Sequence, residues 1–324
     1  MWDFSMAQAF GLMRKTAPFV LFRVIVYFGI SAAFILATGM GAGIGWGVGA
    51  FGNGDFQINS TFYGGLFGFA ATAGVLFFVR DYILYIVKAG HIAVMVEIMQ
   101  GGVVPGGRGQ IDHATAVVKV RFGEASALFA LDRLIKGIVG VITGLMQGIL
   151  NFLPIPGVDQ MMGVVRAYLK VSVGLVDEVI LAHGIRTRAE NPWASAQDGL
   201  VLYAQNAKPL LINAAWLTLF SYGLSFVVFL VMLAPAALVV YLIPGSWSAG
   251  GFVFAILFAW AVKAALIEPF AIACLLQVFF KVTEGQQPDP VWRGKLEAAT
   301  LKFKELGTRA ATWASAKFSG APAV

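Results

Sequence analysis

Lys263 and Glu268 stand inside the apolar stretch from Phe252 to Phe280. A charge at membrane depth costs about 2.5–3.5 kcal/mol even on a lenient insertion scale, so it normally faces protein or water. Such a residue marks either an ion path or a buried ion pair. A five-residue step turns about 140° on a regular helix. The spacing therefore predicts that the two do not pair with each other unless Pro269 distorts the turn; each then needs a partner elsewhere, a place that Asp177 or Glu178 could take for Lys263. Two further polar stripes precede them. Arg166, Lys170 and Asp177, with Glu178 beside them, share one face of a helix over 161–182. Asp132, Lys136, Thr143, Gln147 and Asn151 make a slowly drifting stripe over 130–153. If both helices span a membrane, these faces meet or line a hydrated path, with Asp132 or Asp177 neutralising Lys136, Arg166 or Lys170. If they lie flat, the same faces touch water and headgroups. The chemistry on offer is a hydrated path for a charged solute in the first case and a solvated amphipathic face in the second.

Bond-making chemistry has little to work with. The sequence holds no HExxH, GxSxG or CxxC, and no phosphate loop ending in Gly-Lys-Ser/Thr. One cysteine, Cys274, and three scattered histidines (His91, His113, His183) exclude an internal disulfide and disfavour a zinc site. Gly106-Gly107-Arg108-Gly109 reads as linker, since no Lys-Ser/Thr or helix-opening pattern follows. An enzyme is the weakest class, and neither cofactor nor metal is expected.

The elements that position these charges follow from composition. Of 324 residues, 59% are hydrophobic and 12% charged, with a mean hydropathy of +0.79. Soluble domains carry about 45–50% apolar and about 25% charged residues. A soluble enzyme, a disordered chain and a nucleic-acid-binding domain are all disfavoured, and an all-α polytopic membrane protein remains. Spans of about 20 apolar residues are evident at about 18–48, about 61–87 and in 209–280, which Pro244-Gly245-Ser246-Trp247 divides in two. Pro235 should kink or end the straight part of the first of these two. The candidate outer connections 49–60, 154–159 and 244–250 contain no Lys or Arg, whereas the segments between them hold the whole basic complement. By the positive-inside rule the expectation is six transmembrane helices with both termini cytoplasmic, in the cell membrane. The alternative is four spans plus a re-entrant or interfacial helical hairpin. The organisation reads as an interfacial segment (1–17), a first transmembrane hairpin with a cytoplasmic extension (18–100), a Gly-rich linker (101–112), a helical hairpin and cytoplasmic helix (113–208), a last hairpin (209–280) and a basic tail (281–324).

Glycine is concentrated in stripes. Gly39, Gly43 and Gly47 recur every four residues, as do Gly41, Gly45 and Gly49, so the first span carries two flat strips on roughly opposite faces. Gly64-Gly68 and Gly140-Gly144-Gly148 repeat the pattern. One strip can be filled by an intramolecular neighbour; the other invites a second copy, a complex subunit or lipid. In the tail, Trp292, Leu296, Ala299, Phe303, Leu306, Ala310 and Trp313 recur at helical spacing between Lys295, Lys302, Lys304 and Arg309. This describes a helix lying on an anionic membrane surface or docked on the protein's own cytoplasmic face.

Asn191-Pro192-Trp193-Ala194-Ser195-Ala196, running on to Asn206 and a long span, resembles a segment of choline transporter-like proteins. There an Asn, a Ser-Ala pair and a second Asn open a cytoplasmic helix before a late span. The order of helices over about 115–305 is similar too, as is the Pro-containing turn Gln287-Pro288-Asp289-Pro290. The early spans, large extracellular domain and cysteine-rich linker of that family are lacking, so no family binding residue carries over. The resemblance implies transport of a small polar or cationic, choline-like solute. The competing expectation is an oligomeric scaffold or a subunit of a larger membrane complex. Read locally, Asn191 is a helix cap before a proline at the first helical position.

Overall fold

The computed structural model describes residues 2–122, 130–142, 175–242 and 250–319, and no strand occurs among them. In chain order the helices are α1 (Met6–Lys15), α2 (Ala17–Gly49), α3 (Gly54–Met99), α4 (Arg108–Phe122), α5 (130–142), α6 (Val176–Arg186), α7 (Pro192–Gln205), α8 (Ala207–Leu242) and α9 (Gly250–Val262). A π-helical turn (Lys263–Ile267) then leads into α10 (Glu268–Val282), followed by α11 (Pro290–Ala299) and α12 (Leu301–Ser319). Among the described residues four helices are long and apolar enough to cross a membrane: Ala17–Gly49, Gly54–Phe77, Ala207–Leu242 and Gly251–Val282. Even the shortest of these, at 24 residues, is about 36 Å long at 1.5 Å per residue, against a hydrocarbon core of about 30 Å. Pro235 lies inside α8 and does not end it. The two further spans expected over 134–153 and 161–182 fall mainly on 143–174, outside the described residues. So do Gln147, Arg166, Lys170, Gly144 and Gly148.

The chain divides into two compact units. One comprises Phe19–Leu84 and Ser221–Pro269. Its interior is built from small residues, with Ala42, Ala236 and Ala255 around Phe254, and Ala261, Ala264 and Ala265 around Tyr27. Its large apolar side chains point outward instead, among them Leu36, Ile44, Phe67, Phe226 and Phe252. Water would not tolerate that arrangement, whereas lipid is indifferent to it and small residues let helices approach closely. The α2–α3 hairpin shows how. A Cβ on Gly41 would collide with the Gly64 carbonyl, one on Gly45 with the Ser60 carbonyl, and one on Gly68 with the Ala37 carbonyl. Gly49 is similarly closed, by Gln57. Among the described residues nothing lies within 4 Å of a Cβ at Gly39, Gly43 or Gly47, and the same holds for Gly140 on α5. Of the two strips on α2, one is filled by α3 and the other meets none of the described residues.

The second unit comprises Met1–Pro18, Tyr85–Phe220 and Phe270–Val324. Here the large apolar residues turn inward: Ile92, Met95, Ile135, Ile138, Leu200, Tyr203, Phe279 and Phe303 are fully buried in one core. Ser5 caps α1 by accepting from the Gln8 amide, and Ala9 and Leu12 face that core. A helix does open inside the stretch read as linker. Gly107, at φ 60, supplies the left-handed residue that reverses the chain into α4 at Arg108. The tail helices bury Leu296, Phe303 and Leu306 in this unit's own core. They are two rather than one because Thr300 is extended, at φ −152 and ψ 129. Asn191 accepts from the Trp193 and Ala194 amides, each at 3.1 Å, and its Nδ2 donates to the Ala310 carbonyl at 2.8 Å. The residue that caps α7 therefore also fastens α12.

Candidate functional site

Asp177 and Glu178 begin α6, where the free amides and dipole of a helix N-terminus favour carboxylates. The residues that follow, Val179 to Ala182, are buried on every side, so α6 carries its acids into the core rather than along its surface. Lys88, on α3, reaches Glu178 Oε1 at 2.8 Å. Lys136, on α5, lies 2.6 Å from Asp132 Oδ2 one turn earlier and 3.4 Å from Asp177 Oδ2. Three helices thus bring together two lysines and three carboxylates. The ammonium side is open while the acid side is closed: the Lys136 side chain is 53% exposed, those of Asp132 and Asp177 only 4% and 6%. Asp132 Oδ1, Asp177 Oδ1 and Glu178 Oε2 are buried and accept no hydrogen bond among the described residues.

Among the described residues two cations face these three buried carboxylates, one fewer than the acids, and burying an unpaired charge is costly. Protonation relieves it. Burial, and then the neighbouring charge of Asp177, pushes the Glu178 carboxyl up to about 7 against the pull of Lys88. Burial likewise raises Asp177, opposed by the hydrogen bond a protonated Glu178 can offer it and by Lys88 and Lys136. The Lys136 ammonium is lowered by burial, but the fields of Asp177 and Asp132 outweigh this and leave it raised. Asp177 and Glu178 are adjacent, so they titrate as a pair that holds a proton near neutral pH.

The other charged group belongs to the unit of small-residue packing. Lys263 Nζ lies 3.4 Å from Glu268 Oε1, so the two pair, by the exception that the spacing left for a turn distorted beside Pro269. The reason lies in the backbone. Over Lys263–Ile267 the helix is π-wound, and the Glu268 amide donates to the Lys263 carbonyl, five residues back. Five residues make one π-turn, which stacks the two side chains. Pro269 has no N–H to donate, and the Ala264 carbonyl instead accepts from Arg23 Nη2. Arg23 is fully buried, with Nη2 4.0 Å from Glu268 Oε2. Aromatic faces cover both cations: Tyr27 lies 5.5 Å from the Arg23 guanidinium and Tyr222 4.9 Å from Lys263 Nζ.

Of the residues singled out by spacing, Asp132, Lys136, Asp177 and Glu178 lie together, and Lys263 and Glu268 form a second group. Lys88 and Arg23 were missed. Arg23 had a legible signal: it lies in the first apolar run, and Glu268 is one of only two acids within the apolar runs, Asp81 being the other. Lys88 had none, since it reads as an ordinary basic residue at the end of a span. The described residues include no group of three His, Cys, Asp or Glu side chains placed to hold a metal ion. Comparison with known proteins gives no match, whether with protein-family profiles, curated proteins or solved structures.

Proposed function

We propose that the chain is a membrane transport protein for a small cation, choline-like by its sequence resemblance, and that Asp132, Asp177 and Glu178 receive the cation. One observation carries this reading: among the described residues, three buried carboxylate oxygens accept no hydrogen bond beside a half-exposed lysine ammonium. In the resting protein the Lys136 ammonium occupies the place of a cationic solute, tethered by its own side chain. An incoming ammonium displaces it into water and takes over its carboxylates once the Asp177–Glu178 proton has left, since loss of that proton adds the negative charge that draws the cation in. Four spans anchor the protein, with both ends cytoplasmic, and α5 and α6 belong to a cytoplasmic layer of helices rather than to further spans. Supporting that choice are the buried faces of α5 and α6 in a core they share with α1 and the tail helices. Uptake of labelled choline into liposomes carrying the full chain tests the reading. Asp177→Asn should abolish uptake with the protein still folded; undiminished uptake would remove the cluster from the mechanism.

A second reading has its own observation. The open Gly39-Gly43-Gly47 strip, flanked by exposed Leu36, Met40 and Ile44, has the form of a helix-packing face. It favours an oligomer or a complex subunit. Gly43→Leu should dissociate a detergent-stable complex, and an unchanged particle size would count against it.

A further inference from the structure

A groove of about 900 Å³ lies in the unit that holds the amino-terminal segment. Its wall is held rigidly. Ser5 and Gln277 exchange two hydrogen bonds, Ser5 N to Gln277 Oε1 at 3.0 Å and Gln277 Nε2 to Ser5 O at 3.3 Å. Asp3 is fixed by Asn213, whose Oδ1 accepts from the Asp3 amide at 2.7 Å and whose Nδ2 donates to Asp3 Oδ2 at 2.8 Å. Arg186 lies over the Phe280 ring at 4.5 Å and donates through Nη1 to the Phe280 carbonyl at 3.4 Å.

Charge on the lining is balanced. Arg186 and Lys281 contribute two cations, Asp3 and Glu284 two carboxylates, and Trp2 and Phe280 add aromatic faces. Lys281 and Glu284 are exposed and make no ion pair among the described residues, although only one helical turn separates them. A surface selecting a simple anion has no use for the two acids, and one selecting a simple cation has none for Arg186. A ligand carrying a phosphate and an ammonium uses all four, with the phosphate in the guanidinium fork and the ammonium against carboxylate and ring.

The aromatic end of the groove shows what else the ligand carries. Trp2 stacks on Phe4 at 5.9 Å and meets Trp216 and Phe220 edge-on at 5.8 and 5.4 Å. Both partners are on α8, one of the four strongly apolar helices, and both are part-exposed, as is Leu219 beside them. The polar lining is therefore joined through Trp2 to an aromatic step on α8 and to the exposed apolar Leu219 beside it. That is the sequence of environments met by a headgroup, a glycerol interface and an acyl chain. We propose that this groove binds the phosphate–ammonium headgroup of a zwitterionic phospholipid, with Arg186 and Lys281 on the phosphate and Asp3, Glu284 and Trp2 around the ammonium.

The test uses the delipidated full chain in detergent and native mass spectrometry with added dioleoyl phosphatidylcholine, dioleoyl phosphatidylglycerol or soluble phosphocholine. Phosphatidylcholine should be retained at least tenfold more tightly than phosphatidylglycerol. Lys281→Gln and Glu284→Gln should each weaken it severalfold while eluting as the wild type does. Phosphocholine should compete only at far higher concentration. If phosphocholine binds as tightly as the lipid, a free zwitterion rather than a membrane lipid occupies the groove and the lipid assignment falls. Equal binding of phosphatidylglycerol with no effect of Glu284→Gln overturns the zwitterion, and no binding of any probe overturns the site. None of these outcomes depends on transport, which they leave to its own assay.

Discussion

Gly43→Ala and Gly45→Ala change the same helix by one methyl group two residues apart, and they should move stability in opposite directions. A methyl group added at Gly45 would fall inside the van der Waals contact distance of the Ser60 carbonyl, a backbone atom that cannot rotate away, whereas one added at Gly43 meets nothing within 4 Å. Removing the Gly45 overlap needs α2 and α3 to part by about 1 Å, which forfeits contacts along the whole Gly41–Gly64 and Gly45–Ser60 seam. Overpacking of this kind costs about 1–3 kcal/mol. Replacing glycine inside a helix recovers about 1 kcal/mol at either site. Gly43→Ala is therefore stabilising by up to about 1 kcal/mol, and Gly45→Ala is a net loss of about 0–2 kcal/mol once both effects are counted. Gly41→Ala should behave like Gly45→Ala, and the double substitution should cost less than the sum, because helices already parted accept the second methyl cheaply. Unfolding in mixed micelles of dodecyl maltoside and increasing dodecyl sulfate, followed by circular dichroism, gives these differences. Equal midpoints for Gly43→Ala and Gly45→Ala would refute the assignment of which strip is filled.

Three other perturbations bear on the remaining elements. Glu178 has a folded-state pKa of about 7, above its ordinary 4.5, so between these values the folded protein holds a proton that the unfolded chain has released. Stability is then highest below pH 4.5 and falls as pH rises through 7, by about 3 kcal/mol at 1.36 kcal/mol per pH unit. Glu178→Gln should flatten that part of a pH–stability profile, and an unchanged slope would show that the carboxyl is not raised. Arg23→Gln removes the buried donor to the Ala264 carbonyl and one cation of the Glu268 group, at about 3–5 kcal/mol. Pro269→Ala restores an N–H that can reach the freed carbonyl, so the double variant should lose markedly less than the two single losses added together; strict additivity would sever the proline from the arginine. Asn191→Ala loses a cap worth about 1 kcal/mol and the tie to Ala310 as well. Limited proteolysis should then clip α12 faster than in the wild type, and an unchanged rate would mean the tail is held by its apolar face alone.

Four apolar helices could be read in the sequence because hydrophobic length is a local property. The two glycine strips were equally legible, but which one α3 would fill was not, since that depends on the rotation of one helix against another. The tail shows the same limit: its apolar stripe was clear, yet the stripe is identical whether lipid or α7 covers it. The Thr300 break is a backbone choice invisible to periodicity. Whether Lys263 and Glu268 pair was not legible for a sharper reason: 100° per residue sets them apart, and only the π-turn next to Pro269 stacks them. Asp132, Lys136 and Asp177 were found because intrahelical spacing placed them on faces, while Lys88 entered from a helix far away in sequence. The groove around Trp2 and Arg186 left no sequence signal, being assembled from segments some 90 to 280 residues apart.

The pH dependence of choline flux into liposomes carrying the full chain tests the central claim most directly. If the Asp177–Glu178 proton gives way to the cation, flux should be low at pH 5.5, rise about half-way near pH 7 and level off by pH 8 (a window set by the Glu178 value of about 7). In Glu178→Gln that profile should lose its midpoint near 7. Flux that equals protein-free liposomes, or a wild-type profile that is flat from pH 5.5 to 8, would contradict the account.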